Sequence, residues 1–194
     1  MMYYTKKELI SFGFKKVGSN IRISKLARFY KCSGKIGNNV RIDDDVVIKG
    51  KLDLGNYIHI GRGCTLSGGR KGIEINDFTA LSNFVQVFTV TDIYESPTLS
   101  SGVFENQKLI KKYCSQLNKK IFIGKGVIIG CSSTILPSTF IEDFCRIGAH
   151  SIIYQKIKKG CYFSNFGKKK IVKINYQNLA KKIKNLEKFF KQKT

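Results

Sequence analysis

Ile36-Gly37-Asn38-Asn39-Val40-Arg41-Ile42-Asp43-Asp44-Asp45-Val46-Val47-Ile48 is the stretch whose reading decides the fold. An aliphatic residue returns at every sixth position, a spacing that belongs neither to an amphipathic helix nor to a simple alternating strand. Outward from it, the register runs on through Leu54, Ile60 and Leu66, pauses over the insertion Gly68-Gly69-Arg70-Lys71-Gly72, and resumes at Ile75, Leu81 and Val87. A second run reads Ile123, Ile129, Ile135, Ile141, Ile147 and Ile153, so all fifteen register positions are Ile, Leu or Val. The slot four residues later is small or aliphatic, as at Val40, Val46, Cys64, Thr79, Cys145 and Ser151, and turn formers such as Gly61-Arg62-Gly63 lie between. Each hexapeptide therefore reads as a short strand ended by a tight turn. Three make a triangular coil, and the whole predicts an all-β parallel β-helix of about five coils stacked at the ~4.8 Å spacing of paired strands.

The composition agrees with one folded body. The 194 residues are 42% apolar, enough for a core without disulfides. Thirty-five Lys and Arg against 13 Asp and Glu give +22, yet only 25% of the chain is charged, which excludes a disordered polycation. No apolar run approaches a membrane span and the first residues lack a signal-peptide core, so a cytoplasmic protein is expected. Six cysteines without a CxxC pair argue against a zinc ribbon, two histidines cannot make a three-histidine site, and no metal is expected. Cys64 and Cys145 read as buried small hydrophobes. Only 6 of the 35 basic residues are Arg, and no nucleic-acid-binding motif accompanies them, so no nucleic-acid partner is expected.

The ends and the middle break the repeat. Thr5 and Glu8 have capping-box spacing before Gly13, predicting a helix over 5–12 that covers the end of the prism. Leu179, Ile183, Leu186 and Phe190 recur at helical spacing between lysines, predicting an amphipathic helix over 176–191 packed on the coils or on a neighbouring copy. The expected organisation is a cap over 1–30, the β-helix over 31–160 with an excursion over 88–120, and a basic tail over 161–194. An excursion that long inside a tight repeat carries function as a rule. Residues 156–194 hold thirteen Lys and one Glu, a basic pole suited to peripheral contact with an anionic membrane surface.

Isoleucine-led hexapeptides with a mid-chain excursion and a helical tail resemble the left-handed parallel β-helix acyltransferases, the hexapeptide-repeat family that includes galactoside and maltose O-acetyltransferases. Segments such as Gly55-Asn56-Tyr57-Ile58-His59-Ile60, Gly72-Ile73-Glu74-Ile75-Asn76-Asp77-Phe78 and Val127-Ile128-Ile129-Gly130 are similar to the branch found in surface-polysaccharide biosynthesis. The resemblance implies a homotrimer that transfers acetyl from acetyl-CoA to a sugar hydroxyl, with active sites between adjacent prisms. N-acetylation of an amino-sugar nucleotide is the alternative, and a catalytically degenerate prism serving as a scaffold or membrane-surface module is the rival outside enzymes.

Where better-known members carry a histidine base, this chain reads Phe88-Thr89-Val90-Thr91-Asp92, which makes Asp92 the residue carried over. The repeat itself points to His59: the residue before each register position faces outward, and one face stacks Arg41, His59, Ala80, Ile128 and Arg146. Another stacks Asp53 and Glu74, whose charges are expected to raise the pKa of Asp92. The two acid-base candidates are then His59 and Asp92, brought together from neighbouring chains. The resemblance further implies that pantetheine lies along the late turns at Gly130, Cys131, Ser132, Gly148 and Ala149, with His150 nearby. Lys168, Lys169 and Lys170 are placed to meet the phosphates of the coenzyme.

Overall fold

A computed structural model describes residues 2–167 and 169–191, the side chain of Lys191 excepted. It is a left-handed β-helix. Every one of the fifteen register side chains is at most 4% exposed, and together they fill a single core running the length of the prism.

The prism is longer than the five coils expected. Among the described residues its second face carries eight strands: seven parallel, from Arg22–Ile23 through His59–Ile60 to Cys161–Ser164, and a last antiparallel one at Lys170–Lys173. Residues 14–30, assigned to the cap by the sequence, already form coil, since Phe14–Val17 pairs with the strand Arg28–Ile36 and Arg22–Ile23 with Arg41–Ile42. Val17, Ile23 and Phe29 keep the six-residue period, but a bulge between Tyr30 and Ser33 makes the next step seven residues and hides the match. The strands Arg28–Ile36, Val47–Leu54 and Thr65–Ile75 run unbroken from the third face around an edge onto the first, and the insertion near Gly68 is absorbed there. Gly34 shows why this turn needs glycine: at φ +108, an added Cβ would lie 2.2 Å from the Leu52 carbonyl oxygen.

The cap reduces to α1, Lys6–Ser11, which seats Leu9 with no exposed surface. Its capping box is complete, and the backbone and hydroxyl bonds from Thr5, helped by Lys25, pull the Glu8 carboxyl down to about 2. The excursion has its own order: the strands Val90–Asp92 and Gln116–Asn118 form an antiparallel hairpin whose far end carries a short 3-10 turn and α2, Gln107–Tyr113.

The long edges of the prism turn on left-handed residues three places after each register position. On the first edge these are Asn20, Asn39, Tyr57, Phe78, Gly126, Phe144 and Gly160; on the second, Asp45, Gly63, Phe84, Ser132 and His150. The C-terminal helix α3, Gln177–Lys191, lies along the first edge of its own chain. Next to it Tyr176 stacks on Phe144 at 5.3 Å; within it Ile183 is 5% exposed against Gly126, Glu187 pairs with Lys125, and Phe190 stacks on Tyr57. Its fifteen residues span ~22 Å, which matches the ~19 Å covered by four rungs of strand spacing. At Gly126, φ +66, an added Cβ would lie 2.9 Å from both Ile183 Cδ1 and Phe144 Cδ1, so the absence of a side chain lets the helix and the Phe144 ring close over this corner. Among the described residues no helix is long and apolar enough to cross a membrane.

Candidate active site

The second face presents one outward side chain per coil, and strand pairing stacks Arg22, Arg41, His59, Ala80, Ile128, Arg146 and Tyr162 in one column. His59 is half-exposed there, and its Nε2 lies 2.8 Å from Asp43 Oδ2. Asp43 also accepts from Arg41 Nε at 2.6 Å. Partial burial pushes the Asp43 carboxyl up, but the hydrogen bonds from His59 and Arg41 outweigh it and leave the group below its usual range. An ionised Asp43 fixes the imidazole, and with the Nε2 proton engaged Nδ1 is the nitrogen open to a substrate. Asp43 escaped the sequence reading because Asp43-Asp44-Asp45 passes for turn chemistry. The signal was its place one after a register residue, sixteen positions before a histidine placed one before the next register residue on the same face.

The second edge borders this column. On the first edge four of the amides two residues past the register are capped by an Asn or Asp one coil on: Ser19 N–H donates to Asn38 Oδ1 (2.8 Å), Asn38 N–H to Asn56 Oδ1 (2.8 Å), Asn56 N–H to Asp77 Oδ1 (2.6 Å) and Lys125 N–H to Asp143 Oδ1 (2.8 Å). Asp77 and Asp143, each followed one coil on by a lysine, have unpaired N–H groups among the described residues. On the second edge Arg62 N–H donates to Asn83 Oδ1, and there the ladder stops. Cys131 and Ala149 occupy the next two slots and offer no carboxamide or carboxylate acceptor, and Asn165 beyond them spends its Oδ1 on Ile152 N–H, so among the described residues the N–H groups of Asn83, Cys131 and Ala149 are unpaired, each on an exposed residue. Unpaired amides at one-coil spacing are donors for the carbonyls of an extended ligand. Gly130 and Gly148 serve the stacking beneath: a Cβ on Gly130 would lie 2.4 Å from Ala149 N and one on Gly148 2.8 Å from Tyr162 Oη. Ser132 and His150 are the left-handed corner residues of these coils, and the His150 ring sits 5.5 Å from Phe166.

The remaining candidates lie elsewhere. Asp92 is in the excursion hairpin, where Oδ2 accepts from Ser100 Oγ at 2.8 Å and Ser101 N–H at 3.1 Å while Oδ1 is enclosed without a hydrogen bond. The donors at Ser101 and Ser100 hold its carboxyl below the usual range, the reverse of the upward push expected. The acidic stack exists, with Asp53 opposite Glu74, but each has its own cation, Lys51 at 4.0 Å and Lys120 at 2.6 Å. Within one chain no hydrogen bond or ion pair among the described residues joins His59 to Asp92. Lys170 lies opposite Ser164 in the terminal strand pair and Lys169 reaches Gln155, whereas Lys168 falls outside the described residues. Cys64 and Cys145 are fully buried, and burial pushes the Cys64 thiol up to about 11.

The chain as a whole has counterparts among known proteins. No family model matches the chain. The dTDP-4-amino-4,6-dideoxy-D-glucose acyltransferase of Escherichia coli is 36% identical over 157 residues, 79% of this chain and 79% of that protein. A variant of AntD, an N-acyltransferase from Bacillus cereus in complex with dTDP and coenzyme A, superposes over 100% of both chains with TM-score 0.84 and 30% identity. The chain belongs to the hexapeptide-repeat acyltransferases. Within that family, another AntD variant in complex with dTDP-4-amino-4,6-dideoxyglucose and coenzyme A superposes at TM-score 0.85 over 99% of this chain and 98% of that one, again at 30% identity. A maltose O-acetyltransferase from Clostridium difficile 630, at 19% identity and TM-score 0.53 over 88% of this chain and 75% of that one, shares the hexapeptide-repeat fold alone.

Proposed function

We propose that the chain transfers an acyl group, acetyl as expected from the sequence, from acyl-CoA to the amino group of a nucleotide-linked amino sugar. The observation that carries this reading is the meeting, on one side of the prism, of an Asp43-held His59 with the unpaired amides of Cys131 and Ala149. The likeness to AntD, an N-acyltransferase, favours N-acylation over the O-acetylation of a glycan hydroxyl that the sequence put first. The chemistry agrees: an amine attacks a thioester without a strong base, so the missing histidine of the excursion costs little.

The sugar nitrogen attacks the thioester carbonyl carbon, a C–N bond forms, and the oxyanion draws on backbone N–H donors at the second edge. The C–S bond then breaks; the nitrogen gives its proton to His59 Nδ1, and His59 hands that proton on to the departing sulfur, which leaves as the thiol while the imidazole returns to neutral. Cys131 and Ala149 hold the pantetheine arm by their amides, packed against Gly130, Ser132 and Gly148, with Lys169 and Lys170 toward the coenzyme phosphates. The protein works as a homotrimer in which the excursion of one copy brings Asp92 across to His59 of the next. A nucleotide-linked acceptor is water-soluble, so the cytoplasm suffices and the basic tail needs no membrane.

The test is direct: the protein is incubated with acetyl-CoA and dTDP-4-amino-4,6-dideoxyglucose while free thiol and the acceptor mass are followed. Thiol release matched by amide formation supports the reading. Acetylation of sugars lacking an amine, in preference to this acceptor, returns the O-acetyltransferase; no coenzyme binding at millimolar ligand leaves the scaffold.

A further inference from the structure

At the foot of the second face a groove of about 770 Å³ opens between the first coils and the N-terminal segment. That segment is fixed: Tyr3 bridges to Ser24, and Lys25 N–H donates to the Met2 carbonyl at 2.9 Å. Four cations line the groove, Arg22, Lys25, Arg41 and Arg62, against two carboxylates, Asp43 and Asp44, and two of the cations are paired beyond it, Lys25 with Glu8 at 3.1 Å and Arg62 with Asp45 at 2.9 Å. Both carboxylates are engaged within the protein, Asp43 by Arg41 and His59 and Asp44 by the Ser24 hydroxyl. Arg41 pairs through Nε, which leaves Nη donors to spare, and Arg22 is exposed with no ion pair among the described residues. The donors left over, the whole Arg22 guanidinium and the Nη groups of Arg41 one rung away, suit a diphosphate. Exposed Tyr3 and Leu26 at the rim supply flat and apolar surface for a base.

We infer that this groove holds the nucleoside diphosphate of the acceptor, with the phosphates on Arg22 and Arg41 and the base toward Tyr3; the inference rests on the proposed N-acyltransferase reading. The column gives the direction. Arg22, Arg41, His59 and Ala80 are successive rungs about 4.8 Å apart, so a sugar attached to phosphates at Arg41 lies over the next two. Ala80 is the smallest side chain of the column, leaving a step beside His59 for the pyranose. The following rung is Ile128, on the same coil as Gly130 and Cys131, where the thioester arrives from the other direction. Donor and acceptor therefore approach along one face from opposite ends and meet between His59 and Ile128.

The experiment is calorimetric titration of the full chain with dTDP, dTMP and CoA, repeated on Arg22→Ala and Arg22→Glu and, as a control for lost charge, on Lys188→Ala in α3. Arg22 is exposed, so the variants keep the fold, and unchanged CoA binding verifies it. The expected result is dTDP affinity at least tenfold weaker in Arg22→Ala and weaker still in Arg22→Glu, with Lys188→Ala as wild type and dTMP already weak. In turnover the same variants raise KM for the nucleotide sugar more than they lower kcat. Equal dTDP affinity in all four proteins overturns the groove assignment, as does wild-type protein that binds CoA but no dTDP. Wild-type protein that binds neither overturns the acyltransferase reading itself.

Discussion

The two long edges of this prism start from the same hexapeptide and end differently. The first is clothed: Asn and Asp side chains cap four of its amides, leaving those of Asp77 and Asp143 unpaired among the described residues, Tyr57 and Phe78 stack at 4.8 Å, and α3 with the preceding Tyr176 covers Gly126 and Phe144. The second is bare beyond Asn83, with amides open at Cys131 and Ala149 and the His59 column beside it. Open amides occur on both edges, so the second edge is singled out by the run of three, Asn83, Cys131 and Ala149, on exposed residues beside the Asp43-held His59, and that is the ground of the proposed ligand site. On the clothed edge the left-handed aromatics cost roughly 1–2 kcal/mol each in backbone strain, offset by ring stacking and by the helix. The stacked rings and the helix stabilise the first edge, and the proposed coenzyme site lies along the second.

The largest effect expected is on the clothed edge. Ile183→Asp places a charge against Gly126 and Phe144 with no cation assigned to it, and buried unpaired charges are among the few changes that exceed about 3 kcal/mol. In a chain of this size that lowers Tm by about 6–12 °C. The affinity for CoA, read on the folded protein at low temperature, is expected to stay within twofold of wild type. A matching loss of CoA binding would show that the edges are not separable.

Next comes Asp43→Asn, which keeps the shape beside His59 but removes the charge that fixes its tautomer. A kcat loss of about 10²-fold is expected, with KM for acyl-CoA unchanged, and Asp43→Glu restores part of it. The variant also has a pH signature. Asp43 is held below its usual range in the fold, so its stabilising contribution is present above the unfolded carboxylate pKa of roughly 4 and is lost as pH falls through the folded value. Melting curves of wild type and variant should therefore converge in acid and separate toward neutrality; parallel curves would mean that Asp43 is not ionised in the fold.

What could be read from sequence followed the period. Ile36 to Leu66 and Ile123 to Ile153 repeat without interruption, and that run established the prism, its core and the His59 column. The first coil was missed because one extra residue near Cys32 breaks the count, although Val17 and Ile23 sit in register. Asp92 was carried over from a family position, but its hydrogen bonds to Ser100 and Ser101 depend on how the excursion folds, which no period encodes. Asp43 and the open amides were invisible for a different reason. Each is defined by what stands one coil away, so the informative comparison is between residues 16 to 18 positions apart, and the site is read from absences in a ladder as much as from functional side chains.

The sharpest test of the comparison is to finish the ladder. Ala149→Asn puts on the bare edge the side chain that Asn56 supplies on the clothed one, one coil beyond an unpaired N–H. If the absence of a cap at Cys131 is a stacking accident, the new amide oxygen accepts from Cys131 N–H, and the protein gains about 0.5–1 kcal/mol with CoA affinity unaltered. If the open amide is a donor to pantetheine, the same gain in stability comes with affinity for CoA about tenfold weaker, because ligand and side chain compete for one hydrogen. We expect the second outcome. The Arg22 groove lies several coils away, so dTDP binding should not respond, and a variant that gains stability while losing only the coenzyme would show that this chain trades one hydrogen bond of its own fold for one to its substrate.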